Sequence, residues 1–321
     1  MKIAIIASGF LPVIDGVTVT GFYRVQTLSK LGHEVLLFCP DYSKLESIYP
    51  DWRKYTGDIL PGVKVVNLKS NPFFVEFERN PAWDSYGTVL RELEKFQPDI
   101  IHVDEPERLF VMGFWRVAGV DFARRKGIPC VGFFRTNFLE YLEDFFPLPR
   151  WAIANLQFLV KKLIVYVYNS YDLTLVTSKV TFPKVTALGI NNAIYSSLLG
   201  LDSSKYTSQL RQENFFDRTY NLPQVDQKVK LIFLGRLTPD KGWNFTLDAF
   251  STVFKEIDPE QIAILIAGDG ESKTEIIDRL GKLTPHLHLL GRILPENVPA
   301  LLANSDIHVT TSEKETRGLT I

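Results

Sequence analysis

The side chains of this chain that could do chemistry gather in three short polar runs. The first, Gly235-Arg236-Leu237-Thr238-Pro239-Asp240-Lys241-Gly242, directly follows an apolar run and precedes a helical pattern. Arg236 and Lys241 are fixed cations there, close to the backbone N–H groups of the following helix terminus, a combination that suits a pyrophosphate. On spacing alone, a solvated strand-to-helix turn is the plainer reading. The second run, Ser312-Glu313-Lys314-Glu315-Thr316-Arg317-Gly318-Leu319-Thr320-Ile321, again follows apolar residues. A carboxylate in it can accept hydrogen bonds from sugar hydroxyls, and N–H groups around Gly318 can approach a phosphate because glycine has no Cβ. Taken alone, it is a polar turn. The third candidate is Gly16 with Thr18, a phosphate or sugar contact, although Gly16 could equally serve only the turn.

Other chemistries lack their residues. Ala267-Gly268-Asp269-Gly270-Glu271-Ser272-Lys273-Thr274 ends like a phosphate-binding loop, but Ala267 and Ser272 stand at its two glycine positions, so no NTPase is expected. No G-x-G-x-x-G opens either half, which weakens a dehydrogenase. His286 and His288 share a strand face without a third ligand nearby, and no D-x-D occurs. Neither a metal nor a cofactor is expected, and fixed cations must carry the charge of a diphosphate. Lys and Arg number 36 against 37 Asp and Glu, a formal charge of −1, so no global field recruits nucleic acid. Cys39 and Cys130 are too few for a disulfide framework or a zinc site and fit a reducing compartment.

The elements that must position these runs follow from hydrophobic rhythm. A length of 321 residues, with 45% hydrophobic and 23% charged, suits two globular domains. Strands are expected at 2–7, 34–38, 100–103, 130–133 and 173–177, with helices at 22–31, 89–96 and 109–126 and an apolar helix after Pro149. This is the pattern of βαβ units and a doubly wound parallel sheet. The segment 42–83, rich in aromatics, breaks the rhythm and reads as a loop over the sheet edge or as an acceptor-gripping lobe. Past about 188 the chain turns polar, and the rhythm resumes with strands at 231–234, 262–267, 287–290 and 307–310 and helices at 244–255, 273–283 and 298–304. Two Rossmann-like domains, 1–191 and 192–321, are expected to face each other across a cleft. The first residues read as a strand, not a signal peptide. The apolar stretch 151–171 carries Lys161 and Lys162 at its centre and is not expected to span a bilayer.

Taken together, these motifs resemble glycosyltransferase family 4, retaining enzymes of the GT-B architecture. The match rests on the 235–242 run, Ala267-Gly268-Asp269-Gly270, the 312–321 run and Gly200-Leu201-Asp202, which resembles the Gly-Val-Asp turn of the family. Phe134-Arg135-Thr136-Asn137-Phe138 with Glu140-Tyr141-Leu142 is similar to a subset acting on lipids, including sulfoquinovosyl- and mannosyl-lipid synthases. The resemblance implies a metal-independent transfer of a hexose from a UDP- or GDP-sugar to a glycan or lipid hydroxyl with retention. Arg236 and Lys241 would hold the diphosphate, Gly16 would approach it from the other domain, and Glu315 would hold sugar hydroxyls. The backbone of Thr316, Arg317, Gly318 and Leu319 would complete the cradle.

Arg135, counted with Arg236, Lys241 and Glu315 among the candidate catalytic residues, stands where relatives commonly carry a histidine and, as a permanent cation, cannot inherit its role as acceptor or base. Arg317 replaces an aromatic residue of the pattern. The second glutamate paired with Glu315 would fall beyond Ile321, so the second domain is expected to be incomplete. Two alternatives stay open: a non-catalytic sugar-nucleotide-binding protein, and a GT-B epimerase, which Arg236, Lys241 and the Glu315 loop disfavour. A cytoplasmic location is expected. Peripheral association with the inner membrane face through 151–171 competes with a buried core helix under a basic rim.

Overall fold

Side chains alternate across the central strands, and that alternation sets the layers of both sheets. In β1 (Lys2–Ala7), Ala4 and Ile6 enter one core while Ile5 enters another on the opposite face. The computed structural model describes residues 1–73, 77–136, 139, 149–197 and 202–312. The chain forms two compact units, Met1–Leu201 and Asp202–Ile321.

In the first unit, β1 leads into helix α1 (Gly16–Lys30) and β2 (Glu34–Pro40). β3 (Gly57–Leu60), β4 (Val63–Leu68) and a hairpin of β5 (Ser70–Pro72) and β6 (Arg79–Pro81) follow. Helix α2 (Tyr86–Phe96) feeds β7 (Ile100–Asp104), and the short α3 (Pro106–Leu109) precedes α4 (Val120–Lys126) and β8 (Cys130–Phe134). The helix Arg150–Asn169, β9 (Leu173–Val176), the helix Thr181–Leu188 and β10 (Ala193–Tyr195) complete it. The sheet order is β10-β9-β8-β7-β1-β2-β4-β3, parallel except for the β3/β4 pair. Its order reverses between β1 and β7, and the carboxyl ends of those strands are where such sheets place their chemistry.

Three sequence expectations are corrected here. Helix α1 starts at Gly16 instead of 22, because the Asp15 carboxylate accepts from the N–H groups of Val17 and Thr18 at 2.7 and 2.8 Å while Thr18 Oγ1 accepts from Asp15 N. This reciprocal cap outweighs the poor helix propensity of Val17, Thr18, Val19 and Thr20. The helix expected at 109–126 is broken by a π-helical turn, Phe110–Phe114, and by Trp115 in a left-handed conformation at φ 55°. The aromatic segment 42–83 supplies two strands to the sheet edge, with Val63 and Val65 buried against β2. Its aromatics Tyr42 and Tyr49 pack with Val13 in a small cluster of their own.

The second unit carries the helix Phe215–Tyr220, β11 (Val229–Leu234), the helix Trp243–Val253, β12 (Ile262–Ala267), the helix Lys273–Leu280, β13 (Leu287–Gly291), the helix Val298–Ala303 and β14 (Ile307–His308). Its sheet order is β13-β12-β11-β14, all parallel. In β12, Ile262, Ile264 and Ile266 face one core and Ala263, Leu265 and Ala267 the other. Burying each of these isoleucine or leucine side chains is worth about 1.5–3 kcal/mol, so this fully enclosed strand anchors the unit. The first unit extends to Leu201, past the division suggested at 191, because β10 pairs in parallel with β9.

Backbone hydrogen bonds hold the turn after β11 against the turn after β12. Gly235 N donates to Ala267 O at 3.0 Å, Leu237 N to Asp269 O at 3.0 Å and Ser272 N to Leu237 O at 2.9 Å. A Cβ on Gly268 would collide with the Gly235 carbonyl oxygen, so the contact exists only because that residue is glycine. Gly268→Ala should therefore destabilise the protein by at least about 2 kcal/mol. Thermal unfolding measures this, and an unchanged melting temperature would show that the two turns do not depend on each other.

Candidate functional site

Arg236 and Lys241 converge at the carboxyl end of β11 because a buried carboxylate lies between them. The Asp240 side chain has no solvent exposure, and its Oδ2 lies 3.3 Å from Arg236 Nη2 and 3.9 Å from Lys241 Nζ. Both cations keep part of their surface in solvent, 29% for Arg236 and 23% for Lys241. A buried carboxylate must be paired, so it draws the two basic chains to one place.

The turn is closed from behind by the segment after β14. Thr311 Oγ1 lies 3.0 Å from Lys241 O and 3.1 Å from Gly242 O, and 2.7 Å from Thr246 Oγ1. Gly242 has φ 72°, and a Cβ there would strike the Thr311 carbonyl oxygen. The last glycine of the 235–242 run is thus required twice, by conformation and by close approach. Ser312, the first residue of the 312–321 run, lies past β14, which pairs with β11, and its Oγ is 3.5 Å from Asp240 O. Glu315, Thr316, Arg317, Gly318 and Leu319 lie outside the described residues, as do Gly200, Leu201, Asn137, Phe138 and the Glu140-Tyr141-Leu142 stretch.

In the first unit, the carboxyl ends of β1, β7 and β8 hold a buried ionic network. Asp104 ends β7 and receives the forked guanidinium of Arg24 at 2.6 and 3.1 Å, with His102 Nε2 at 2.8 Å. Burial pushes the Asp104 carboxyl up, but Arg24, then His102 and Arg135, overcome it and hold the pKa well below the usual range. Burial and then Arg24 lower the pKa of His102. Arg135 is also part of this cluster, with Nη1 3.9 Å from Asp104 Oδ2 and only 2% of its side chain exposed. Its guanidinium stacks 4.7 Å from the Phe133 ring centroid. Its Nη2 donates to Val17 O at 2.6 Å and to Thr20 Oγ1. Thr20 Oγ1 in turn donates to Gly16 O at 2.6 Å. Arg135 therefore braces the first turn of α1, the turn that begins at the exposed Gly16. Gly16 is helical, without positive φ, so the turn itself does not demand glycine.

Several residues of this region escaped the sequence reading. Glu105 follows β7 in a left-handed conformation, φ 49° and ψ 58°, and accepts from Ser8 Oγ and Thr136 Oγ1. Such a conformation in a buried glutamate costs on the order of 1–3 kcal/mol and recurs at functional positions. Glu107 is buried and accepts from the Tyr168 hydroxyl. Burial, and next the charge of Glu105, push its pKa up to about 8. The only sequence signal was the acidic run Asp104-Glu105-Pro106-Glu107 at the end of an apolar strand.

Two Rossmann-like α/β units, one bearing a paired-cation turn at a strand carboxyl end, define the class as a GT-B glycosyltransferase. The fold likeness extends to the solved sucrose-phosphate synthase of Thermosynechococcus elongatus, at TM-score 0.68 and 13% identity over 99% of this chain and 77% of that one. Residues 14–195 match Glycosyltransferase Family 4 and residues 228–321 match Glycosyl transferases group 1. The chain belongs to glycosyltransferase family 4. Its relatives include an alpha-monoglucosyldiacylglycerol synthase of Streptococcus pneumoniae, 23% identical over all of this chain and 68% of the relative. A GDP-mannose-dependent alpha-mannosyltransferase of Corynebacterium glutamicum is 27% identical over 98% of this chain and 68% of its own length.

Two outcomes follow from these geometries. Replacing Asp240 with Asn keeps the shape but sets an amide donor against two cationic donors, so Asp240→Asn should lower transferase turnover on the order of tenfold or more. Unchanged steady-state kinetics would show that Asp240 does not position the cations. Glu107 has a folded pKa of about 8, above the roughly 4.3 of an exposed glutamate. The native state then holds a proton that the unfolded chain releases. The stability this group contributes is complete below about pH 4 and is lost as pH rises through about 8. Glu107→Gln should flatten the fall of melting temperature between about pH 5 and 8, and an unaltered slope would place the proton elsewhere.

Proposed function

We propose that this transferase moves a hexose from a UDP- or GDP-sugar to a hydroxyl of a glycan or lipid acceptor, with retention and without a metal. The observation that carries this reading is the pairing of Arg236 and Lys241 through the buried Asp240. Two cations fixed in advance stabilise charge as it develops on a leaving diphosphate and cost little reorganisation. Glu315 is assigned to the sugar hydroxyls, and the backbone of Thr316, Arg317, Gly318 and Leu319 to the phosphate. Gly16 is assigned a donor contact, which its exposed glycine backbone suits.

In the reaction, the bond from the anomeric carbon to the diphosphate oxygen breaks while the acceptor oxygen bonds to the same face of the sugar. The acceptor proton passes to the departing phosphate, so no protein nucleophile is needed. Arg135 acts as a positioning residue, because its guanidinium is engaged by Val17, Thr20 and Asp104. The names of two relatives, one a diacylglycerol glucoside synthase and one dependent on GDP-mannose, support a nucleotide-sugar donor and a lipid among the acceptors. A lipid acceptor is met at a membrane surface, which supports peripheral association.

Thermal-shift titration with UDP-glucose, GDP-mannose and the parent diphosphates tests the donor site. One nucleotide family should raise the melting temperature, and Arg236→Ala and Lys241→Ala should each abolish the rise. A ligand present at 100 times its Kd stabilises by about 2.7 kcal/mol, so the effect is easily read. Stabilisation that persists in both variants would place the diphosphate elsewhere, and no shift with any nucleotide would favour a role without donor binding.

A further inference from the structure

Glu105 stands where the backbone would suit glycine. It is the first residue past β7, at φ 49° and ψ 58°, and Pro106 follows it. A side chain disfavours the left-handed region, and a following proline pushes the residue before it toward extended conformations. Strain of this kind persists only where the surroundings over-determine it.

The strain begins where strand pairing ends. Ala7 of β1 pairs with Asp104 of β7, and Asp104 pairs with Phe133 of β8. One residue on, Glu105 N–H donates to Phe133 O at 3.2 Å. Its carboxylate, on a side chain only 4% exposed, accepts from Ser8 Oγ just past β1 and from Thr136 Oγ1 just past β8. Because β7 lies between β1 and β8, one carboxylate cross-links the connections that leave both neighbours. The ladders already join the three strands, so what this contact adds is the placement of the loops beyond them. A buried carboxylate also needs charge nearby. Arg108 Nη1 lies 3.9 Å from Glu105 Oε2, and the same guanidinium reaches Glu78 Oε2 at 2.8 Å and Asn80 Oδ1 at 2.9 Å, beside and within β6.

The connection that starts at Ser8 ends at the first turn of α1. Phe10 N–H donates to the Tyr42 hydroxyl at 3.2 Å, Thr18 Oγ1 donates to Val13 O at 2.5 Å, and the Asp15 carboxylate caps the helix. Phe10, Leu11 and Val13 are buried. The segment from Ser8 to Gly16 is therefore pinned along its length, and Glu105 holds its first residue. A loop fixed in advance loses little conformational freedom when a ligand touches its end.

We propose that Glu105 is a positioning residue of the transferase, which sets the Ser8–Gly16 loop for its donor contact by holding the Ser8 hydroxyl, without itself touching the substrate. The inference rests on the donor contact assigned to Gly16. Its test is the affinity for UDP-glucose and GDP-mannose, measured by calorimetric titration alongside melting temperature. Glu105→Gln keeps the size and the backbone strain, but its amide nitrogen cannot accept from a hydroxyl. It should weaken binding of the preferred nucleotide sugar by about tenfold or more, as small misplacements do. Ser8→Ala should do the same, and the double variant should bind no worse than Glu105→Gln, because the two residues act as one unit. Glu105→Gly should bind as weakly as Glu105→Gln yet melt at a higher temperature, since glycine relieves the left-handed strain. Affinity that simply follows melting temperature through the series would make Glu105 a structural residue and overturn the proposal. Undiminished affinity in Glu105→Gln, or losses that add in the double variant, would overturn it too. If these results appear while Arg236→Ala and Lys241→Ala abolish binding, the donor site stands and only the role of Glu105 falls. A wild-type protein that binds neither nucleotide sugar removes both.

Discussion

A charge buried at the end of a parallel strand must find its counter-charge, and each unit is organised around one such requirement. Asp240 has no exposure and gathers Arg236 and Lys241, while Asp104 is 4% exposed and gathers Arg24, His102 and Arg135. In both cases the low dielectric around the carboxylate makes separation of the pair expensive. The consequences differ. The first-unit cations are spent inward, on Asp104 and on the first turn of α1, so the network is a brace. The second-unit cations keep 29% and 23% of their side-chain surface in solvent.

Rigid backbone makes the second arrangement usable. The turn that bears the cations is tied to the turn after β12 by three backbone hydrogen bonds and to Thr311 by side-chain ones. Glycines occur where two main chains come too close for any Cβ. Ala267-Gly268-Asp269-Gly270, which resembles part of a phosphate loop in sequence, works here as the surface on which the cation-bearing turn rests. Pre-organisation of this kind lets electrostatic stabilisation act without reorganisation when charge moves.

Stability in the first unit has been traded at identifiable places. Glu105 and Trp115 hold left-handed conformations, and Glu107 is buried with a raised pKa. All three lie between the carboxyl end of β7 and the turn before α4, and Trp115 falls inside the stretch 109–126 where a single long helix was expected. The strong brace through Asp104 and Arg135 sits immediately beside it and supplies the rigidity that tolerates these local costs.

The sequence by itself determined the parallel sheets, because alternating or continuous apolar runs separated by helical periods admit few other solutions. β1 and β12 fall within the expected bounds for that reason, and the glycine-rich run 235–242 marked its turn through residues that only such a turn requires. What the sequence left undecided depends on contacts between distant residues. The Asp15 cap shifted the start of α1 by competing with propensity, and Trp115 broke a helix whose pattern looked unbroken. The burial that turns Arg135 from a candidate reacting group into a brace comes from residues at 17, 20, 104 and 133, which no local window contains. The roles of Asp104, Glu105 and Asp240 likewise arise from dielectric and pairing, quantities that exist only after the chain has closed around them.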